Sequence, residues 1–272
     1  MESTENKAIS KSTHRKLIIY SSVIYLLANL TVYFISELII HITAISYGLE
    51  SYLFEYKTVW LYSKHSVQMT AESGIAVSIA GPLSSLILGI LCYRLYIVFR
   101  SFQGFFKIFL LWSYLHAFNY FMGGFIAAVL TGSGFGFIAN WIDISISVRV
   151  LLSVAFLFIL SFTGSASSYN FLESAYDSNL LSKSNRHGYL LSMVFMPWFY
   201  SSIFLIILSI QSNKWYDTIV FLTMVFAVMP VFKKSREFYE IPIPAENKEY
   251  NVPKLAYGVL LIFLITYRLS IM

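Results

Sequence analysis

Glu37 and His41 stand four residues apart in the apolar stretch SELIIHITAISYG, residues 36–48. Residues i and i+4 of a helix share one face, so the carboxylate and the imidazole would lie on adjacent turns. Both groups bind zinc and iron, and two side chains on adjacent turns can ligate one ion. Ionisable residues inside membrane segments are costly and usually functional. The alternative, which the pair taken alone favours, is structural: Glu37 lies at the membrane interface and His41 hydrogen-bonds a neighbouring helix.

Gly81 and Pro82 interrupt the next apolar run, GIAVSIAGPLSSLILG. Proline lacks a backbone N–H and frees a carbonyl upstream, while small residues around it let another backbone come close. An ordinary kinked span would show the same pattern, so this step indicates a site only in combination with other features.

A third group of polar and small residues lies in LHAFNYFMGGFIAAVLTGSGFGFIANWID. His116 and Asn119 are three positions apart and share a helix face. Gly123 and Gly124 follow, then TGSGFG and Asp143; such glycines permit tight turns near a site. The alternative is that His116 and Asn119 pair with each other or with a backbone carbonyl, linking helices, and that Asp143 faces water.

The order of these features resembles the site-2 protease family of intramembrane zinc metalloproteases. In that family an H-E-x-x-H helix is followed by a span with a G-P-x-x-N-like motif, and a later span supplies an Asp ligand. Here E-L-I-I-H, ending at His41, stands in place of the metal helix, and A-G-P-L-S-S-L carries Ser85 in the Asn position. Asn119, Gly123 and Gly124 fall where the third motif would be. The resemblance covers about half of the chain.

Leu38 occupies the position of the catalytic Glu of that family. That Glu is the general base that activates the metal-bound water, and leucine cannot take a proton. The resemblance therefore implies a membrane protein that binds a transmembrane or peptide client without cleaving it. It also implies a Zn²⁺ site in which Glu37 and His41 are joined by either His116 or Asp143.

Two other functions stay open. An atypical metalloenzyme, in effect a zinc-dependent intramembrane peptidase, would use Glu37 and His41 as metal ligands. A transporter of protons or small solutes would line its path with those two residues, His116 and Asn119, and the Gly-Pro step would mark a broken helix. The chain has no two-fold internal symmetry, which disfavours the transporter.

Composition indicates which elements position these residues. The chain is 57% hydrophobic and only 12% charged, against about 25% charged in soluble domains. Continuous apolar runs of about 20 residues must be helical in lipid, so the predicted fold class is an all-α, polytopic transmembrane helical bundle. We predict about seven spans, within a range of six to eight. The predicted segments are Leu17–Gly48, Gly74–Phe99, Phe105–Leu130, Ile144–Phe162, Gly188–Ile210, Trp215–Phe232 and Leu255–Ile271.

The first segment is longer than a membrane crossing requires. As one straight helix it would measure about 48 Å, whereas the hydrocarbon core is ~30 Å thick. Either the helix projects beyond the bilayer or its second half turns inside the protein. The predicted connections Leu49–Ser73 and Lys233–Pro253 carry mixed charge and are expected to be loops.

Charge distribution predicts orientation and partners. With the N-terminus inside, most of the 19 Lys and Arg residues fall on the inner side, which predicts a cytoplasmic N-terminus and an outward C-terminus. We expect a polar tail (residues 1–16), a protease-like membrane core (17–145) and further membrane helices (146–272), in a bacterial inner or plasma membrane. The lipid bilayer is the expected partner, and no nucleic acid is expected, because the excess charge lies in short connections. The single cysteine, Cys92, excludes a disulfide framework.

Overall fold

The first helix, α1, runs unbroken from Lys11 to Ser46 in the structure, a computed structural model. The structure describes residues 10–54, 57–60, 70–102, 104–132, 134, 138–139, 142–211, 215–238 and 251–269. At 36 residues, α1 is about 54 Å long, more than the ~30 Å thickness of a hydrocarbon core, and it continues as one helix through the second half of the predicted segment. That it projects beyond the bilayer stays a prediction. Neither Gly nor Pro interrupts α1. It ends just before Gly48, whose φ of 71° turns the chain.

The remaining described elements follow in chain order. Their bounds are β1 Ser51–Phe54, β2 Lys57–Trp60, α2 Ala71–Val98, α3 Phe105–Thr131, α4 Ile146–Glu173, a 3₁₀ turn Ser178–Leu181, α5 Arg186–Leu190, α6 Met196–Gln211, α7 Trp215–Thr223, α8 Val225–Ser235 and α9 Lys254–Leu269. Strands β1 and β2 form an antiparallel hairpin, with Ser51 opposite Trp60, in the connection that was expected to be a loop. The π-helical turn Leu191–Phe195 joins α5 to α6 without a break.

The helices confirm an all-α protein that is embedded in a membrane. Each predicted apolar segment is helical over most of its described residues, and within the described ranges five helical stretches are long and apolar enough to cross a bilayer. They are Lys11–Ser46, Ala71–Val98, Ile146–Glu173, Arg186–Leu208 and Trp215–Ser235. The count of about seven spans stays a prediction.

Helix α4 is longer than its sequence suggested, because it continues past Phe162 to Glu173. The added turns, residues 163–173, read TGSASSYNFLE, which begins with too many polar and small residues to extend an apolar run. Ser165 and Ser167 return hydrogen bonds to the carbonyls four residues before them, so their hydroxyls are satisfied within the helix. The small side chains also let α8 approach closely: a Cβ on Gly164 would collide with the carbonyl of Ala227.

Helix α3 forms the centre of the bundle and packs against α1, α2, α4 and α7. Most of its residues are buried. It is not among the five apolar stretches, because Trp, Tyr, His and Asn dilute its hydropathy, and those residues find polar partners on neighbouring helices. By contrast, α4 turns Phe158 and Phe162 outward, 72% and 75% exposed, as lipid-facing residues would be. Since α3 contacts α4 and α7, the two predicted membrane regions pack against each other.

The bundle has two distinct ends. One end, here named the basic end, joins the start of α1, the end of α2, the start of α3 and the end of α4 in one apolar cluster that includes Leu17, Tyr96 and Phe171. The opposite end, here named the distal end, joins α3 to residue Ile138 and to the starts of α2, α4 and α7. Glu37 and His41 lie on the half of α1 nearer the distal end. Residues 1–9 of the expected polar tail and 239–250 of the second expected loop lie outside the described residues.

Candidate functional site

The Glu37–His41 turn of α1 is anchored at its imidazole. His41 Nδ1 shares a hydrogen bond of 2.9 Å with the hydroxyl of Ser51, the first residue of β1. The hairpin therefore folds back onto this turn and leaves His41 Nε2 as the nitrogen available for another group. Glu37 is half-buried and lies close enough to Tyr216 of α7 to act on its hydroxyl electrostatically. Glu37 and Tyr216 therefore lie in the same region of the bundle.

The Gly-Pro step of α2 packs directly on that turn. A Cβ on Gly81 would stand 2.6 Å from Ile40 Cδ1 and 2.9 Å from Ser36 Oγ, so a larger residue here would have to displace these two side chains of α1. Pro82 lies inside a continuous helix. Ser85, one turn further, is 1% exposed, and its hydroxyl has no hydrogen-bond partner among the described residues.

The glycine pair of α3 packs against α7. A Cβ on Gly123 would collide with the hydroxyl of Thr223, and one on Gly124 would stand 2.7 Å from the Tyr216 hydroxyl. Asn119 fixes the same contact, donating to the Val220 carbonyl at 2.7 Å and accepting from the Thr223 hydroxyl at 3.0 Å. Asn119 therefore links two helices, as its structural alternative proposed.

These contacts bring the three motifs into one region of the bundle. Gly81 lies against the turn that carries Glu37, and Tyr216, whose hydroxyl lies against Gly124, is near enough to Glu37 for an electrostatic interaction. Sequence reasoning identified the motifs but missed Tyr216, because an interfacial aromatic belt is the usual explanation of a Tyr near a segment end.

His116, on α3, contacts a different part of α1 from the Glu37–His41 turn. Its Nδ1 accepts a hydrogen bond of 3.2 Å from Asn29, and the Tyr25 ring packs edge-on against the imidazole with centroids 4.3 Å apart. Its Nε2 is buried and has no hydrogen-bond partner in the described part of the chain. Asn29 and Glu37 are separated by about 12 Å along the helix axis, so His116 and Glu37 occupy different levels of the bundle.

Asp143 lies at the distal end on an exposed turn with φ of 55°, a conformation that aspartate tolerates better than most residues. Arg149 fastens this turn, donating to the carbonyls of Ala139 and Ile144. In the preceding TGSGFG segment, Gly132 and Gly134 both have positive φ, while 133 and 135–137 lie outside the described residues.

The described residues do not bring together a complete set of ligands for a metal ion. Among those residues no three His, Cys, Asp or Glu side chains gather within reach of one ion. Glu37 and His41 remain usable donors, and a hydrogen bond on Nδ1 is what a histidine that binds zinc through Nε2 commonly has. A zinc site with His116 or Asp143 as third ligand stays a prediction.

A charged cluster at the basic end was not predicted from the sequence. Glu173, at the end of α4, accepts hydrogen bonds from Arg100 Nε at 2.9 Å and from the Tyr96 hydroxyl at 3.0 Å. Lys107 of α3 is buried, with its Nζ 3.8 Å from the same carboxylate and 2.9 Å from the Arg100 carbonyl. The carboxylate raises the pKa of the Arg100 guanidinium, chiefly through the hydrogen bond. The one signal of this cluster in the sequence was Glu173 itself, an acidic residue on the side of the membrane that is predicted to be rich in Lys and Arg.

A comparison with known proteins finds no matching family model, no matching curated protein and no matching solved structure. Function is therefore argued from the geometry and from the resemblance of the motifs.

Proposed function

We propose that this integral membrane protein is a site-2-protease-like protein that binds a transmembrane or peptide client beside the Glu37–His41 turn without cleaving it. The supporting observation is the close packing of Gly81 on Ser36 and Ile40. It sets the Gly-Pro step directly against the turn that takes the place of the metal helix. We further propose a bacterial inner or plasma membrane and a cytoplasmic basic end.

Binding without cleavage follows from the residue types at this turn. Leu38 has no group that accepts a proton, so the general base that the family uses is missing. Glu37 and the Tyr216 hydroxyl instead offer polar groups within the bundle, where the backbone groups of an unwound client segment have no water to bond. Small residues on α2 allow an apolar client helix to approach.

Photo-crosslinking tests the binding proposal. The probe is a synthetic single-span helical peptide co-reconstituted with the protein in liposomes. A photoreactive phenylalanine at Leu83, which is 42% exposed next to the Gly-Pro step, should capture the peptide. The same residue at Phe158, 72% exposed on α4, is the matched lipid-facing control and should capture little.

Mass spectrometry of the same sample tests the absence of cleavage, and the peptide should stay intact. Cleavage that disappears in Glu37→Ala would make the protein an enzyme and overturn the proposal. Equal capture from both positions would remove the binding site from α2.

Metal analysis tests the zinc-enzyme alternative, which is favoured by the hydrogen bond on His41 Nδ1, because a histidine that binds zinc through Nε2 commonly has such a bond. If Glu37 and His41 hold zinc, the detergent-purified protein contains about one Zn²⁺ per chain, and Glu37→Ala loses it. A metal-free wild type that also fails to take up zinc on reconstitution would count against any metalloprotease activity.

A transporter is the second candidate, and the buried His116–Asn29 pair favours it. Both side chains are at most 2% exposed, and the imidazole keeps one nitrogen without a partner among the described residues. Proton or solute flux into liposomes that falls in His116→Ala would support this function. Flux equal to that of protein-free liposomes would exclude it for the solutes tested.

A further inference from the structure

The guanidinium of Arg100 uses only part of its binding capacity within the protein. Its Nε donates to both carboxylate oxygens of Glu173 at 2.9 Å, and its flat face lies 5.4 Å from the centre of the Tyr169 ring. The side chain is nevertheless 49% exposed. Because the bonds to Glu173 are made through Nε, the two terminal nitrogens, which have no hydrogen bond to any described residue, can act as a fork of the kind that binds phosphate.

The surrounding charges favour an anion at this fork. Arg100 and Lys107 together carry two positive charges, and Glu173 supplies one negative charge, which leaves the cluster with a net positive charge. Lys107 is directed inward to backbone carbonyls and to Glu173, so its charge adds to the positive electrostatic potential around Arg100 but its ammonium does not contact a ligand. The Tyr96 hydroxyl is also committed to Glu173.

Aromatic side chains surround the same turn. Phe99 packs edge-on against Phe102 and Phe106, with ring centroids 5.6 and 5.5 Å apart. Phe102 and Phe106 are 57% and 47% exposed. The turn connects the end of α2 with the start of α3, so these rings lie at the level of a membrane interface, where apolar surface meets acyl chains and a cation meets headgroups.

We propose that the α2–α3 turn binds the phosphate of an anionic phospholipid, with the Arg100 fork on the phosphate oxygens and Phe102 and Phe106 against the acyl chains. A free phosphate ion would share the fork but would leave the two exposed rings without a partner. The proposal does not depend on the client-binding function.

Lipid binding to the purified full-length protein tests this site. Detergent-solubilised protein is titrated with phosphatidylglycerol, phosphatidylcholine or inorganic phosphate, and retained ligand is measured by native mass spectrometry. The wild type should retain phosphatidylglycerol in preference to phosphatidylcholine. No preference between the two lipids, or retention of inorganic phosphate without phosphatidylglycerol, would overturn the proposal.

Arg100→Lys is the decisive variant. A lysine keeps the charge and the ion pair with Glu173, so the fold should survive, but its single ammonium cannot also hold a phosphate in a fork. Affinity for phosphatidylglycerol should fall roughly tenfold, the effect of one lost charge-assisted hydrogen bond. Arg100→Gln should lose as much affinity for phosphatidylglycerol. If Arg100→Gln fails to fold, the result for Arg100→Lys alone tests the proposal.

Arg15→Gln is the matched control. Arg15 is an exposed cation at the same end of the bundle, on α1, so its replacement removes the same charge at another place. It should keep the wild-type preference. Equal losses in Arg15→Gln and in the Arg100 variants would show general attraction to a basic surface and would overturn a specific site.

Discussion

Glu173 is the residue on which the basic end depends most. Its side chain is 8% exposed and is held by Arg100, Lys107 and the Tyr96 hydroxyl, which lie on two other helices and on the turn between them. A buried ion is stable only while its partners are in place, and removing one partner leaves the others desolvated and uncompensated. The cluster therefore holds the ends of three helices together through ion pairs and hydrogen bonds, in addition to the apolar packing of that end.

Replacing Glu173 by Gln should destabilise the protein by about 3 kcal/mol, because two cations would remain buried or half-buried without a counter-charge. Thermal unfolding in detergent measures the change. Glu237→Gln is the control: its ion pair with Lys234 lies on the surface, with side chains 58% and 44% exposed, so its loss should cost less than about 0.5 kcal/mol. Equal Tm values for the two variants would contradict the importance of the buried cluster.

At the scale of secondary-structure elements, the main feature is the close packing of helices at glycines. Gly81 brings α2 onto α1, and Gly164 brings α4 onto α8, where a Cβ would strike the Ala227 carbonyl. Ser168 of α4 adds a hydrogen bond of 2.8 Å to the Val231 carbonyl. Without water to drive apolar association inside a bilayer, such small-residue contacts and interhelical hydrogen bonds determine which helices are neighbours.

Gly164→Ala should separate α4 from α8 and destabilise the protein by about 1–3 kcal/mol, because a backbone carbonyl cannot move aside as a side chain can. Unfolding in detergent again gives the measure. Gly258→Ala, in α9, is the matched control, since a Cβ there meets nothing within 4 Å. It should be neutral or slightly stabilising, because alanine favours a helix over glycine. A neutral Gly164→Ala would mean that the two helices are not tightly packed there.

At the scale of the whole molecule, apolar helices and basic residues are distributed differently. The central helix, α3, is mostly buried and packs against helices from four of the five long apolar stretches. Basic residues gather at one end, among them Arg100, Lys107 and Arg186. Arg186 donates to the carbonyls of Ser235 and Phe238, which supports the end of α8.

Cysteine labelling tests the orientation that this asymmetry predicts. Cys92, 6% exposed, should resist an impermeant maleimide in the wild type. Ser145→Cys, exposed before α4 at the distal end, should be labelled in intact cells, because that end is predicted to face outward. Ser101→Cys, exposed in the α2–α3 turn, should react only after permeabilisation. The reverse pattern would place the N-terminus outside.

The amino-acid sequence by itself determined that this is a helical membrane protein and where its helices run, because apolar runs of sufficient length have one backbone solution in lipid. It also located the Glu37–His41 turn and the glycines that let helices meet. Only the tertiary structure decided partners: that Glu173 pairs with Arg100 and Lys107, that Tyr216 packs against Gly124, and that His116 joins Asn29 rather than the Glu37–His41 turn. The rotation of each helix about its axis and the order of its neighbours are set by packing between distant segments, which local hydropathy does not encode.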